Sequence, residues 1–121
     1  MTTRPLLVVD DDADLREAIS DVLRDAGYEV ITANNGRHAL EVLGRTHPLP
    51  GMVLLDMMMP VLDGKGFLAE VRVHPQFSEV PVVVFSASAR PNLQELGARG
   101  WVRKPVDLDV LLQVVQQHAM T

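Results

Sequence analysis

The chain has 121 residues, 47% hydrophobic and only 4% aromatic, with 11 basic against 16 acidic side chains and a formal net charge of −5. That length suits one compact aliphatic α/β domain over residues 1–121, and the acidic balance argues against direct nucleic-acid binding, which calls for a basic surface. With no cysteine, disulfides, thiolate metal sites and a cysteine nucleophile are excluded; no apolar stretch is long enough to span a bilayer, and the start, Met1-Thr2-Thr3-Arg4-Pro5, carries no signal-peptide pattern, so a cytoplasmic protein without membrane contact is expected.

Pro5 opens a first strand at about residues 6–10, Leu6-Leu7-Val8-Val9-Asp10. A helix follows from Asp12 or Asp14. Its stripe of Leu15, Ala18, Ile19, Val22, Leu23 and Ala26 has helical spacing, and Gly27 closes it. Residues 28–32 form a second strand, expected at the sheet edge. Asn34-Asn35-Gly36 is a turn that also caps the next helix, whose stripe is Ala39, Leu40 and Leu43 with Val42 beside it, ending at Gly44. Two prolines and a glycine make His47-Pro48-Leu49-Pro50-Gly51 a loop.

The central strand, Val53-Leu54-Leu55, delivers Asp56 at its carboxyl end. Residues 60–66 are a loop leading into a third helix with Phe67, Leu68 and Val71 facing inward, ended by His74-Pro75-Gln76. Pro81 opens the fourth strand, residues 82–86, ending at Ser86. Arg90-Pro91 starts a segment expected to be helical for only one or two turns, through Leu93 and Leu96, and punctuated by Gly97 and Gly100. A fifth strand at 101–104 carries Trp101 and ends in Lys104-Pro105. Asp107 caps a last helix with inner stripe Leu108, Leu111, Leu112 and Val115. Val110 and Val114 lie off that stripe, at the core edge or on a partner surface.

Five alternating strand–helix units imply a parallel sheet with helices on both faces and right-handed crossovers. The first, third and fourth strands are continuously apolar and therefore central. The expectation is a flavodoxin-like, doubly wound, five-stranded sheet of order 2-1-3-4-5 with a shortened fourth helix. In such a sheet Asp10, Asp11, Asp56, Ser86 and Lys104 converge on the carboxyl edge. Three close carboxylates repel one another unless a proton or cation intervenes. A hard divalent ion such as Mg²⁺ suits them, since it prefers oxygen and needs few protein ligands. A carboxylate beside such an ion is also a nucleophile toward phosphorus, with the Lys104 ammonium neutralising phosphoryl charge and Ser86 offering a hydroxyl.

Five signatures in order carry a resemblance: Val8-Val9-Asp10-Asp11-Asp12, Leu55-Asp56-Met57-Met58-Met59-Pro60, Asp63-Gly64, Phe85-Ser86-Ala87 and Lys104-Pro105. From Leu6 to His118 the chain resembles the receiver domain of two-component response regulators. The resemblance implies that Asp56 accepts a phosphoryl group from a histidine kinase or a histidine phosphotransfer protein. It implies Mg²⁺ (with Mn²⁺ as a substitute) on Asp11, Asp56 and the backbone carbonyl of Met58, with Asp10 acting largely through water. Ser86 takes the switch hydroxyl position, Lys104 the lysine position, and Trp101 a conformationally coupled aromatic position. It further implies a cis Lys104-Pro105 bond, an acyl-phosphate lifetime tuned by side chains near Met58 and Ser88, and a signalling or homodimer face on the fourth helix, fifth strand and fifth helix. The downstream protein is not specified. Catalysis would be limited to the chain's own phosphorylation and dephosphorylation, so the chain is not an enzyme in the usual sense. Ser86 and Lys104 are 18 positions apart, several fewer than in most receivers. The missing length falls in the fourth helix, which alters the usual signalling face.

Blander readings stand beside these. Asp10–Asp12 can be a helix cap, Lys104 a solvated edge lysine, and Trp101 plain sheet cover. Met57–Met59 need no soft metal, and His38, His47, His74 and His118 share no ligand spacing. Two further functions compete with the phosphoacceptor switch: a receiver-like binding module that signals without phosphorylation, and a Mg²⁺-dependent aspartyl phosphohydrolase built on the Asp10-x-Asp12 pair. The switch itself would be a stand-alone regulator, a phosphorelay intermediate or a piece of a longer protein.

Overall fold

A computed structural model describes residues 4–87 and 90–119. Its elements are β1 (Leu6–Val9), α1 (Ala13–Asp25), β2 (Val30–Ala33), α2 (Gly36–Arg45), β3 (Met52–Asp56), α3 (Gly64–Val73), β4 (Val82–Ser86), α4 (Leu93–Leu96), β5 (Gly100–Arg103) and α5 (Leu108–His118). All neighbouring strands pair in parallel, and the sheet order is β2-β1-β3-β4-β5. This is the doubly wound, flavodoxin-like sheet expected from the alternation.

The sheet separates two cores. On one face Leu7, Val9, Val53, Leu55, Val82 and Val84 pack against Ala39, Val42 and Leu43 of α2 and Phe67, Leu68 and Val71 of α3. On the other, Leu6, Val8, Met52, Leu54, Val83 and Phe85 pack against Ile19 and Leu23 of α1 and Leu111 and Val115 of α5. Every residue of β1 and β3 is buried, which explains their unbroken apolar runs: both faces of a central parallel strand are covered. Each such leucine or valine contributes roughly 1.5–3 kcal/mol on burial.

Short polar side chains set the helix starts. Asp12 Oδ1 accepts the amides of Asp14 (3.1 Å) and Leu15 (3.2 Å) at the head of α1. Asn35, Asp63, Asn92 and Asp107 do the same for α2, α3, α4 and α5. Gly27, at φ 99°, takes the left-handed turn that ends α1. Peptide bonds His47-Pro48 and Lys104-Pro105 are cis.

Several boundaries differ from the sequence expectation. β1 ends at Val9, so Asp10 follows the strand instead of closing it. β2 lies at Val30–Ala33 and β5 at Gly100–Arg103, each displaced from the expected range. α2 continues one residue past Gly44, and α3 begins at Gly64, because the Asp63 cap starts it earlier than the loop reading allowed. Ala18 of α1 and Ala26 at its C-cap are exposed while Ser20 is buried, its hydroxyl donating to the Arg16 carbonyl at 2.7 Å. In α2 Val42 belongs to the buried stripe and Leu40 to its margin. The fourth helix is a single turn, within the one or two turns expected, and it has no buried residue.

Candidate functional site

The parallel register brings the site together. Val9 pairs with Leu55, and Asp56 pairs with Phe85. Asp10, Asp56 and Ser86 therefore emerge along one edge of β1, β3 and β4. Ser86 pairs with Arg103, and the Lys104 amide donates to the Ser86 carbonyl at 2.9 Å. That bond fixes where the Lys104 side chain leaves the sheet.

Asp10 is fully buried and Asp56 is 3% exposed, whereas Asp11 is exposed. Carboxylate oxygens of all three lie within 4.8 Å of one another. Lys104 Nζ is 3.1 Å from Asp56 Oδ1 and 3.7 Å from Asp10 Oδ2. The first is a charge-assisted hydrogen bond; the second is an ion pair too long to be one. Asp56 Oδ1 also accepts the Met58 amide at 3.2 Å, and Asp10 Oδ1 accepts the Asp12 amide at 2.9 Å. Asp10 Oδ2 is left buried with no hydrogen-bond donor among the described residues.

The charges respond to this crowding. Burial pushes the Asp10 carboxyl from its ordinary 3.8 up to about 6; the Asp12 amide opposes the shift and the neighbouring Asp56 adds to it. For Lys104, burial disfavours the ammonium, but the Asp56 hydrogen bond and the charges of Asp10 and Asp56 outweigh it, and its pKa is raised. The acids are thus held together by a cation that remains charged at neutral pH.

The donor set fits a hard divalent cation. It is made only of oxygens, one of them buried and lacking a donor, and such sites attract Mg²⁺ through a few carboxylates. Met58 belongs to the loop after β3, with its side chain 81% exposed.

Trp101 sits on edge strand β5 opposite Val84 and packs on the α2–α3 face. Its indole Nε1 is buried without an acceptor among the described residues. Ser86 is half-buried at the end of β4. Ser88, expected to tune the site, lies outside the described residues. Asp12 is absorbed by its cap role and is not part of the acid cluster.

Two features were not legible beforehand. Arg16 Nη1 donates to the Asp10 carbonyl at 2.6 Å, tying α1 to the first acid; a lone arginine in a helix gives no signal of it. Gly64 gives its amide to the Met57 carbonyl at 3.2 Å, and a Cβ there would stand 2.7 Å from Met57 Cα and 2.9 Å from the Asp56 carbonyl oxygen. Only glycine lets α3 start this close to the end of β3. The Asp63-Gly64 pair marked the position, but not its reason.

Comparison with known proteins agrees with this geometry. Residues 6–116 match the family described as the response regulator receiver domain. A probable transcriptional regulator ycf27 of Porphyridium aerugineum is 39% identical over 109 residues, covering 87% of this chain but 43% of that protein. The chain therefore spans about two-fifths of such a relative's length. The chemotaxis protein CheY4 of Vibrio cholerae superposes with a TM-score of 0.87 at 32% identity, over 97% of this chain and 99% of that one. The receiver domain of sensor histidine kinase PA1611 of Pseudomonas aeruginosa, solved with magnesium in its active-site cleft, gives 0.84 at 26% identity, over 97% and 98%.

Proposed function

Because this chain belongs to the response regulator receiver domain family, we propose that it is a phosphoacceptor switch whose acceptor is Asp56. The observation that carries the reading is the Lys104 ammonium 3.1 Å from Asp56 Oδ1, within a pocket of two further acids. In the transfer, an Asp56 carboxylate oxygen forms a bond to phosphorus. The P–N bond of a donor phosphohistidine breaks, and its electron pair stays on the imidazole, which then takes up a proton. The donor is a histidine kinase or a histidine phosphotransfer protein.

Asp11, Asp56 and the Met58 carbonyl would hold Mg²⁺ (or Mn²⁺), with Asp10 supporting it; the ion supplies positive charge to the phosphoryl oxygens. Lys104 holds the Asp56 carboxylate by a charge-assisted hydrogen bond before transfer and neutralises a phosphoryl oxygen afterwards. The Met58 amide, already aimed at Asp56 Oδ1, restricts the carboxylate's rotation. Ser86, at the end of β4, donates its hydroxyl to the new phosphoryl group, and Trp101, on the adjoining strand, reports the change. Catalysis is limited to the chain's own phosphorylation and dephosphorylation, and the output is an altered surface for a downstream protein or a second copy. The setting proposed is the cytoplasm; among the described residues no helix is long and apolar enough to cross a membrane.

The test is intact-protein mass after incubation with acetyl phosphate or phosphoramidate. One added phosphoryl group that requires both Mg²⁺ and Asp56, and is absent in Asp56→Asn, is the expected result. A one-turn α4 favours a second reading, a module that binds without phosphorylation. It predicts no adduct, no response of Trp101 fluorescence to beryllofluoride, and partner binding unchanged by Asp56→Asn. The phosphohydrolase reading has little support, since Asp12 caps α1.

A further inference from the structure

The one-turn α4 leaves a cleft against α3. Its walls are Lys65, Ala69 and Arg72 of α3, Pro91, Asn92, Glu95 and Leu96 around α4, and Met57 just after β3, and its volume is about 350 Å³. That volume falls in the range of small-molecule sites, roughly 300–1,000 Å³. On α3 the three wall residues sit at i, i+4 and i+7, one helical stripe distinct from the buried stripe of Phe67, Leu68 and Val71. Ala69 is small, so the middle of that stripe is open.

The chemistry of the cleft is divided. Met57, Pro91 and Leu96 are half-buried and offer an apolar floor. Lys65 and Arg72 stand at the two ends of the α3 stripe, on a chain whose net charge is −5. Neither forms an ion pair with a carboxylate among the described residues. Arg72 donates through Nη2 to the Glu95 carbonyl at 2.9 Å, which holds the guanidinium at the cleft and leaves other N–H groups for a ligand. Glu95 is the one acid in the lining, so the local balance is cationic.

We propose that the α3–α4 cleft is a binding site for a small organic anion with an apolar, ring-sized body, its charge held by Lys65 and Arg72 and its body lying on Met57 and Leu96. The complementarity is of charge with shape: an anion alone would gain little at exposed cations, and an apolar body alone would leave the two cations unused. The site is separate from the acid cluster and does not depend on Asp56 accepting a phosphoryl group.

The test uses 8-anilinonaphthalene-1-sulfonate, an aromatic body with one anionic group, titrated into the intact chain and followed by amide chemical shifts. Saturable binding with shifts centred on Met57, Ala69 and Leu96 is expected. Lys65→Glu should weaken it roughly fivefold or more, Lys65→Arg should retain it, and Ala69→Gln, at an exposed helix position, should obstruct it while leaving the melting temperature near that of the wild type. Shifts centred on Val110 and Val114 of α5, non-saturable binding, or equal affinity in Lys65→Glu would overturn the proposal.

Discussion

At the residue scale, Asp10 is the group under most strain. It is fully buried, one of its oxygens lacks a hydrogen-bond donor among the described residues, and burial lifts its carboxyl from 3.8 to about 6. An acid held above its unfolded value binds a proton more readily in the folded state. Stability therefore falls as pH rises from about 4 to about 6 and stays at the lower level above that. In metal-free buffer Asp10→Asn should melt at a higher temperature than the wild type near neutral pH. The gain should shrink as pH drops toward the unfolded value, as thermal unfolding across that range will show. Added Mg²⁺ should narrow the difference from the other side, by stabilising the wild type more than the variant. Lys104 has the same slope in a higher pH window, and at neutral pH it stabilises where Asp10 costs stability. Its raised pKa means its contribution is complete at neutral pH and is lost only as pH rises through its folded value.

Elements carry the next set of effects. The β3–α3 connection holds Val61 at φ 71°, a left-handed conformation unfavourable for a β-branched residue, with its side chain 78% exposed. Nothing in its packing offsets that cost. Val61→Gly should raise stability by about 1 kcal/mol, read as a shift in the urea midpoint without a change in slope. The short α4 presents the reverse situation. It buries no residue fully: Leu93 and Leu96 pack half-buried against the α2–α3 core, and Arg72 adds a hydrogen bond to the Glu95 carbonyl. Gly97, at φ 79°, leaves room for that guanidinium: a Cβ there would stand 2.7 Å from Arg72 Nη2. Arg72→Ala should speed amide exchange at Leu96, Gly97 and Ala98 while leaving β4 protected, since local opening draws on the least stable segment.

Over the whole molecule, the site exists only because strands remote in sequence are aligned in register. Asp10, Asp56 and Lys104 come from the ends of three strands. Trp101, the only tryptophan, lies on the strand that leads to Lys104 and packs on the α2–α3 core. A change of charge at Asp56 that draws on Ser86 and Lys104 should therefore reach its indole through β4 and β5. Beryllofluoride with Mg²⁺ should alter Trp101 fluorescence in the wild type and leave it unchanged in Asp56→Asn. Such a response requires a two-state element biased by the ligand, not mere proximity.

The sequence by itself determined the architecture. Apolar runs of four or five residues covered on both faces announce central parallel strands, and the fully buried β1 and β3 bear this out. Asp12, Asn35 and Asp107 before helical stripes announce three of the helix starts, whereas the caps at Asp63 and Asn92 emerge only in the structure. The acids and the lysine were legible because a parallel sheet delivers strand ends to one edge. The brevity of α4 was legible from the 18 positions separating Ser86 from Lys104. What the sequence left open depends on distances between elements. Ser20 lies inside and Ala18 outside because the buried stripe runs through Ile19, Ser20 and Leu23, and the Ser20 hydroxyl is satisfied there by the Arg16 carbonyl. Val61 adopts an unfavourable φ because the chain must turn between the end of β3 and a helix pressed close by Gly64. Arg72 reaches α4, and the cleft beside it opens, because a one-turn helix covers too little of α3. Local pattern specifies which residues can form strands and helices; only their packing decides which polar groups meet, which remain buried without a partner, and where space is left.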